Sequence, residues 1–514
     1  MSSFYGLNIA KSGLFFSQKA LNVTGHNISN VHTPGYTRQR LVGESIDPAS
    51  GKARIMPLGK GRVGGGTETF ELAQVRNAFV DKQLRLEYAD YGMLQSKEDT
   101  LIYIEKMFDE IGQSNLSATM KDFFNSLHEL SVYPDKIEMR TNVKQSAIKM
   151  TETFNHVYRQ LSDLQKVQND SIKVTVDNIN DIFEDIAWYN ENIFMFELSG
   201  EKALDLRDKR NLLLDELALL VDIDYAEDLD GKLSISIGGK EVLYHKDVKP
   251  LQCIADTTGV VSGLEDFYTV YYNDATTPLN IRSGELQAYI DMRDGNASNS
   301  MGIPYMMEEL NVLVRSIAKA FNDQNAQGWT YPHGTEVSQQ GGDFFKVFDT
   351  MLEEQPPGSG NWVTVPDYSS ITAGNFVLDQ SIYDDPYKIA TSSVEIILTG
   401  DNPQQGNDRN ILAMVELCSA TDIDGVSSFE GYLKNYIVAI GVESGHVQKL
   451  NSAKMAVVSN LESRRTSISG VSLDEEVTMM MQYQHAYAAC SRVINAVDEA
   501  LDVLINRTGL VGRA

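Results

Sequence analysis

The apolar positions of the first thirty residues fall at helical spacing: Leu7, Leu14, Leu21 and Ile28 stand seven apart, with Phe4, Ala10, Ser17, Thr24 and Val31 between them. This predicts one long helix with a single apolar seam. Its other positions are mostly Asn, Ser, Gln, Gly and Lys, and Gly6, Gly13 and Gly25 each cost about 1 kcal/mol of helix stability, so the helix is marginal alone. Pro34 holds Thr33 extended and Gly35 suits a turn, which ends the helix in a bend over residues 30–36.

The far end repeats the pattern. Ser472 followed by Glu475 is a capping-box pair, and Asp474, Glu475 and Glu476 set negative charge at the positive end of the helix dipole. From there Leu473, Val477, Met480, Gln484, Tyr487, Ser491, Ile494, Asp498, Leu501 and Ile505 follow a four-three rhythm, widened by Met481, Ala488, Val497 and Leu504. Residues 1–43 carry a charge of +4 and residues 474–502 a charge of −5, so the two ends attract each other. Two readings stay open: core helices of their own domain, or helices that pair with each other and with copies in neighbouring molecules.

Between the ends, residues 137–193 read as a long coiled-coil arm. Val143, Ala147, Met150, Phe154, Val157, Leu161 and Leu164 keep the four-three spacing; Ile172, Val176, Ile179, Phe183, Ile186, Asn190 and Ile193 resume it one residue out of phase, re-phased at 168–171. Helical tracts at 70–130 and 305–321 are its expected packing partners. From Val221 the period becomes two, with turns at Asp230-Gly231 and Gly238-Gly239, a β-meander; strand-like runs follow at 268–272, 362–365 and 394–398. The predicted fold is mixed α and β and multidomain. Residues 1–65 with 466–514 form an α-helical coiled-coil assembly domain. Residues 66–222 with 300–330 and 406–465 form a long helical-bundle, rod-like domain, and 223–299 with 331–405 an inserted β-rich outer domain.

Composition narrows the function. The chain has 514 residues, enough for about three domains. A net charge of −27 repels nucleic acid and anionic membrane, and no apolar run of membrane-spanning length occurs. The start lacks a Sec signal, so export is expected by another route. Cys253, Cys418 and Cys490 form no CxxC motif and read as small buried side chains.

Motifs for chemistry fail on context. Residues 59–64 spell GxGxxG, but Pro57 precedes them and Gly65-Gly66 follows instead of a helix, so no dinucleotide cofactor is expected. Gly-Lys is never followed by Ser or Thr, and GxSxG and HExxH are absent. Residues 422–425 imitate an EF-hand with the wrong first and twelfth ligands. His26 and His32 stand six apart, too far for one helical face to ligate a metal. No catalytic, cofactor or metal site is therefore predicted.

Residues 21–36, Leu-Asn-Val-Thr-Gly-His-Asn-Ile-Ser-Asn-Val-His-Thr-Pro-Gly-Tyr, resemble the N-terminal signature of bacterial flagellar rod, hook and hook-associated axial proteins. Residues 472–476 and 482–487 resemble that family's closing motif. Residues 205–218, Asp-Leu-Arg-Asp-Lys-Arg-Asn-Leu-Leu-Leu-Asp-Glu-Leu-Ala, are similar to a segment of the hook-associated branch that rod and hook proteins lack. Ser283-Gly284-Glu285-Leu286 with Arg293, Asn322 with Gly328 and Phe344-Phe345, and residues 406–410 extend the match.

The resemblance implies a non-enzymatic structural protein, exported through the flagellar type III apparatus to the extracellular hook–filament junction. There copies stack into a short helical tube, with the terminal helices innermost. Implied partners are further copies, hook protein, a second junction protein (hook-associated protein 3), and a cytoplasmic export chaperone on the C-terminal helix. The assembly residues it implies are Phe4, Leu7, Leu14, Leu21 and Ile28; Asn27, Asn30, Pro34, Gly35 and Tyr36 at the bend; and Val477, Met480, Tyr487, Ile494, Leu501 and Leu504. The alternatives are a hook or rod protein of the same family, an enzymatic insert in the outer region, or an adhesive outer module using Trp329, Tyr331, Trp362 and Tyr368.

Overall fold

The computed structural model describes residues 2–46, 65–110, 116–228, 231–256, 267–298, 300–333, 336–348, 351–354, 363–397, 406–418, 428–503 and 505. Helix dominates, with small antiparallel sheets, a mixed α and β fold. One end is built from both termini: helix α1 (Ser2–Ser29), a hairpin of β1 (Gln39–Ser45) and β2 (Thr67–Gln74), and the last helix, α11 (Leu473–Asp502). The body is carried by α2 (Ala78–Glu110), α3 (Leu116–Val132), α4 (Ile137–Glu197), α5 (Leu204–Leu220), α6 (Glu285–Asp294), α7 (Ile303–Gln327), α8 (Gln380–Asp384), α9 (Arg409–Glu416) and α10 (Phe429–Ser469).

Helix α4 is continuous because its apolar residues recur every three or four positions on one side, and all fourteen positions predicted from that rhythm are buried. The one-residue shift in phase has a structural counterpart. Val143 to Leu164 join a core with α3 and α7, where Phe123, Phe154, Phe321 and Phe344 meet; Ile172 to Ile193 face α5 and a sheet. Between the two cores the buried positions of α4 are Gln165, Gln168 and Asn169. Their neighbours are polar too: Gln168 Nε2 donates to Thr100 Oγ1 at 3.4 Å, and Asn169 Oδ1 accepts from Tyr268 N at 3.0 Å and Arg293 Nη1 at 2.8 Å. On α10, Asn451 Nδ2 donates to Gln95 Oε1 at 2.9 Å. The body therefore has a polar waist.

The meander is present as β3 (Asp224–Glu227), β4 (Leu233–Ile237), β5 (Lys240–Tyr244) and β6 (Asp247–Val248), antiparallel in chain order. Gly238 and Gly239, at φ +55 and +83, make the two-residue turn that β4 and β5 need. Strands β7 (Gln252–Asp256) and β8 (Phe267–Tyr271) form a second hairpin. Leu233, Ile235 and Ile237 point into the second core.

Residues 336–348 and 371–390 lie instead on the first core, held by asparagine side chains that bind their backbone. Asn322 Oδ1 accepts from Phe344 N at 2.9 Å and Phe345 N at 2.8 Å, Asn311 Oδ1 accepts from Ala373 N at 2.8 Å, and Asn155 Nδ2 donates to Phe376 O at 2.7 Å. Of the two β-rich stretches, 223–299 packs mainly on the second core, with Met292 reaching the first, and the described part of 331–405 packs on the first.

Two elements differ from expectation. Residues 70–74 belong to β2, not to a helix, because the hairpin lies on α1: Thr67 N donates to Ser12 Oγ at 3.1 Å, and a Cβ at Gly43 would stand 2.5 Å from the Phe16 ring. Residues 394–397 are irregular rather than a strand. The GxGxxG stretch 59–64, the EF-hand-like 422–425, Trp362 and Leu504 lie outside the described residues, as do the side chain of Phe4 and the β-turn residue Asp230. Among the described residues no helix is long and apolar enough to cross a membrane, and no group of His, Cys, Asp or Glu is arranged to hold a metal ion.

Candidate assembly interface

The terminal helices pair along their lengths, but through a different face from the leucine row. The buried line of α1 is Ala10, Ser17, Ala20, Thr24 and Asn27, completed at the same spacing by Gly13. These are small residues. They let α11 approach closely: a Cβ on Gly13 would meet Cys490 Sγ at 3.0 Å. Leu7, Leu14, Leu21 and Ile28 flank this line and stay half-exposed.

Helix α11 shows the same half-step rotation. Its shielded positions are Glu476, Met479, Met480, Tyr483, Ala488, Cys490, Ser491, Ile494, Val497 and Leu501, so Met480, Ala488, Ser491, Ile494, Val497 and Leu501 of the predicted stripe lie on this side while Val477 stays 46% exposed. Tyr487, on the same heptad row, is 38% exposed. Rotated this way, Gln484 and Asp498 leave the seam for solvent.

At the bend the two ends meet the body in one polar node. Asn27 sits at its centre with its amide fully used: Nδ2 donates to the Gln39 carbonyl at 2.9 Å and to Glu476 Oε2 at 3.1 Å, while Oδ1 accepts from Gln39 N at 3.0 Å and from the Tyr36 hydroxyl at 2.8 Å. Glu476 is only 1% exposed; its other oxygen accepts from Arg38 Nε at 2.7 Å, and Arg38 Nη1 reaches Glu475 at 2.7 Å. Burial, with Asp205, Asp208 and Glu476 nearby, pushes the Tyr36 hydroxyl up, so it keeps its proton and donates.

Helix α5 completes the node. Thr37 N donates to Asp208 Oδ2 at 2.9 Å, and Gln39 Nε2 donates to Asp205 Oδ1 at 2.7 Å. Asn30 closes α1 by donating to the His26 carbonyl at 3.0 Å and accepting from Thr33 Oγ1 at 3.1 Å. Gly35 has φ +75, a region costly for any residue with a Cβ, and it lies against Leu212 of α5. Pro34 is exposed on the outside of the turn. Asn27, Asn30, Gly35 and Tyr36 therefore come together as the sequence suggested. Arg38, Gln39 and Glu476 were missed; Glu476 looks like one of three solvated acids at a helix start, and its place on the rotated seam was the available signal.

Asp208 makes this node sensitive to pH. Burial, only partly offset by Thr37 and Arg76, pushes its carboxyl up from 3.8 to about 6. A carboxyl held above its unfolded value favours the fold fully only below that value and loses this contribution as pH rises through the folded one. Asp208→Asn, which keeps an acceptor for Thr37 N, is therefore expected to gain on the wild type from about pH 4 to about pH 6 and then hold level. The gain is at most about 3 kcal/mol. Urea titrations of both chains at pH 4, 5, 6 and 7.5 check it; a constant difference contradicts it.

Three stretches match protein-family models: residues 7–37 the flagella basal body rod protein, 101–345 the helical domain of flagellar hook-associated protein FlgK, and 462–507 the C-terminal part of flagellar basal body rod FlgEFG proteins. Over its full length the chain is 29% identical to the full length of flagellar hook-associated protein 1 of Bacillus subtilis strain 168. It is 23% identical to that of Escherichia coli K12, over 97% of this chain and 99% of the relative. Its fold is similar to that of the flagellar hook junction protein FlgK from Burkholderia pseudomallei, with a TM-score of 0.59 and 13% identity, over 75% of this chain and 100% of that one.

Proposed function

Because this chain belongs to the flagellar hook-associated protein 1 family, structural components of the bacterial flagellum, we propose that its copies polymerise into a short helical tube joining hook to filament. Filament assembly and motility depend on that tube. Stacking is heterologous, copy upon copy, which generates a helix rather than a closed dimer. Helices α1 and α11 line the inner tube as a coiled coil, α4 and its neighbours form the next shell, and the β-rich segments face outward. Hook protein adjoins one side of the tube and hook-associated protein 3 the other. The chain travels there through the type III apparatus, with an export chaperone covering α11 beforehand.

One observation carries this reading: the terminal pair is half covered. Glu476 is the one buried residue of α11 among the described residues, while Leu473, Val477 and Met481 stand exposed and Leu7, Leu14 and Leu21 half-exposed beside the seam. Apolar surface left at about 25 cal/mol per Å² favours any contact that removes it from water.

Leu14→Asp tests it. The substitution is expected to leave both cores of the body folded, because Leu14 touches neither, and to abolish attached filaments and swimming. Cells carrying the variant that still build attached filaments would overturn the reading.

A further inference from the structure

We infer that the outward ridge of α1, Lys11, Phe15 and Lys19, docks into the trough between α4 and α5 of a neighbouring copy. This deepens, and rests on, the self-assembly reading. The ridge lies opposite the seam with α11 and clear of the β1–β2 hairpin, which covers Ser12 and Phe16. Phe15 is 52% exposed, with Lys11 Nζ 5.7 Å from its ring centre. Neither lysine has a carboxylate partner among the described residues. In a chain of net charge −27, an unpaired basic pair flanking a bare aromatic ring is a surface that wants an acidic, aromatic counterpart.

The body provides one. A trough of about 430 Å³ is lined by Asp185, Trp188 and Tyr189 of α4 and by Lys209, Leu212 and Leu213 of α5. Trp188 is 57% exposed and meets Tyr189 edge-on at 4.9 Å, an open aromatic corner. Asp181 stands one turn before Asp185 on the same face, and Glu216 one turn beyond Leu212; both are exposed. Three carboxylates thus gather on one side of the corner, with Lys209 on the other, and none of the three is paired with a base among the described residues.

Lys11 to Lys19 covers about 12 Å of helix with Phe15 at its middle, so the ring enters the Trp188–Tyr189 corner with a lysine turned towards the carboxylates beside it. The chain cannot fill its own trough. Asn27 is fixed at the α5 end of α1, and Phe15 lies twelve residues, about 18 Å, further along a rigid helix. A second copy is the occupant that fits.

The test is a charge swap in the full chain in flagellated cells, with a photo-crosslinking residue at position 15 as a second readout. Lys11→Glu with Lys19→Glu is expected to lower the number of attached filaments at least tenfold. Asp185→Lys with Glu216→Lys is expected to do the same, and all four together to restore them. A benzoylphenylalanine replacing Phe15 is expected to link one copy to residues 185–189 or 212–216 of another. Swaps with no effect, four-fold variants that stay defective, or crosslinks to hook protein or within one chain overturn the inference. Those results leave self-assembly standing if Leu14→Asp still abolishes filaments; only failure of that variant to do so sinks both.

Discussion

Asn27→Ala is expected to cost about 4 kcal/mol and to release the terminal helices from the body while both cores stay folded. The amide makes four hydrogen bonds, three of them buried, and its loss strands the Gln39 amide and carbonyl, the Tyr36 hydroxyl and one oxygen of Glu476. A buried polar group left unpaired costs about 1–3 kcal/mol, more when charged. Water entering the opened node recovers part of this, and alanine's better helix propensity returns a few tenths of a kcal/mol. Hydrogen exchange shows the result directly: amides of α1, α11 and residues 36–40 lose protection and those of α4 keep theirs. A loss spread evenly over the chain, or a cost below about 1 kcal/mol, contradicts the placing of Asn27 at the joint.

Gly13 gives the second large effect, and its sign depends on the size of the substituent. Gly13→Ala gains about 1 kcal/mol of helix propensity and asks only that Cys490 Sγ, 3.0 Å away, move by a few tenths of an ångström. A cysteine side chain can rotate that far. The variant is expected to be neutral or slightly more stable. Gly13→Leu drives four more heavy atoms between helices whose facing residues are Ala10, Ser17 and Ala20. Overpacking of that kind costs about 1–3 kcal/mol, and forcing the pair apart forfeits the rest of the seam as well. Thermal melts are expected to place the alanine variant at or above the wild type and the leucine variant well below it. Equal tolerance of alanine and leucine contradicts the close seam.

These two residues mark where sequence reading succeeds and where it stops. The apolar stripe of helix α4 was legible because its large side chains recur at four-three spacing in two runs, and even the shift at 168–171 appeared in the sequence before the polar waist gave it a meaning; buried polar residues such as Arg140 and Asn155 were not. The seam of α1 was half legible: Ala10, Ser17 and Thr24 of the predicted stripe are buried, while its leucine row lies at the edge and Gly13, Ala20 and Asn27 take its place. A search for large apolar residues selects Leu7, Leu14, Leu21 and Ile28, whereas closely packed helices bury Ala, Gly, Ser and Thr and leave the leucines at the edge. On α11 the same bias chose Val477 over Glu476, and the four-three count set Gln484 where Tyr483 is the shielded residue.

The node was half legible. Asn27, Asn30, Gly35 and Tyr36 are local to one bend and carry turn chemistry; Glu476 reaches Arg38 across 438 residues, and no local pattern reports such a pairing. The same holds for the β1–β2 hairpin, which owes its position to Ser12 and Phe16 of a helix rather than to its own alternation. Asn322 with Phe344-Phe345, quoted only as scattered motif pieces, turn out to be one clamp.

Assembly as proposed requires terminal helices whose exposed edges are finished by other copies. Hydrogen exchange of the full chain, free in solution and in isolated hook–filament junctions, tests that most directly. The prediction is weaker protection of α1 and α11 than of residues 143–164 in the free chain, at least tenfold slower exchange of both helices in the junction, and unchanged exchange at 143–164 in α4. Terminal helices as protected in the free chain as in the junction would contradict it.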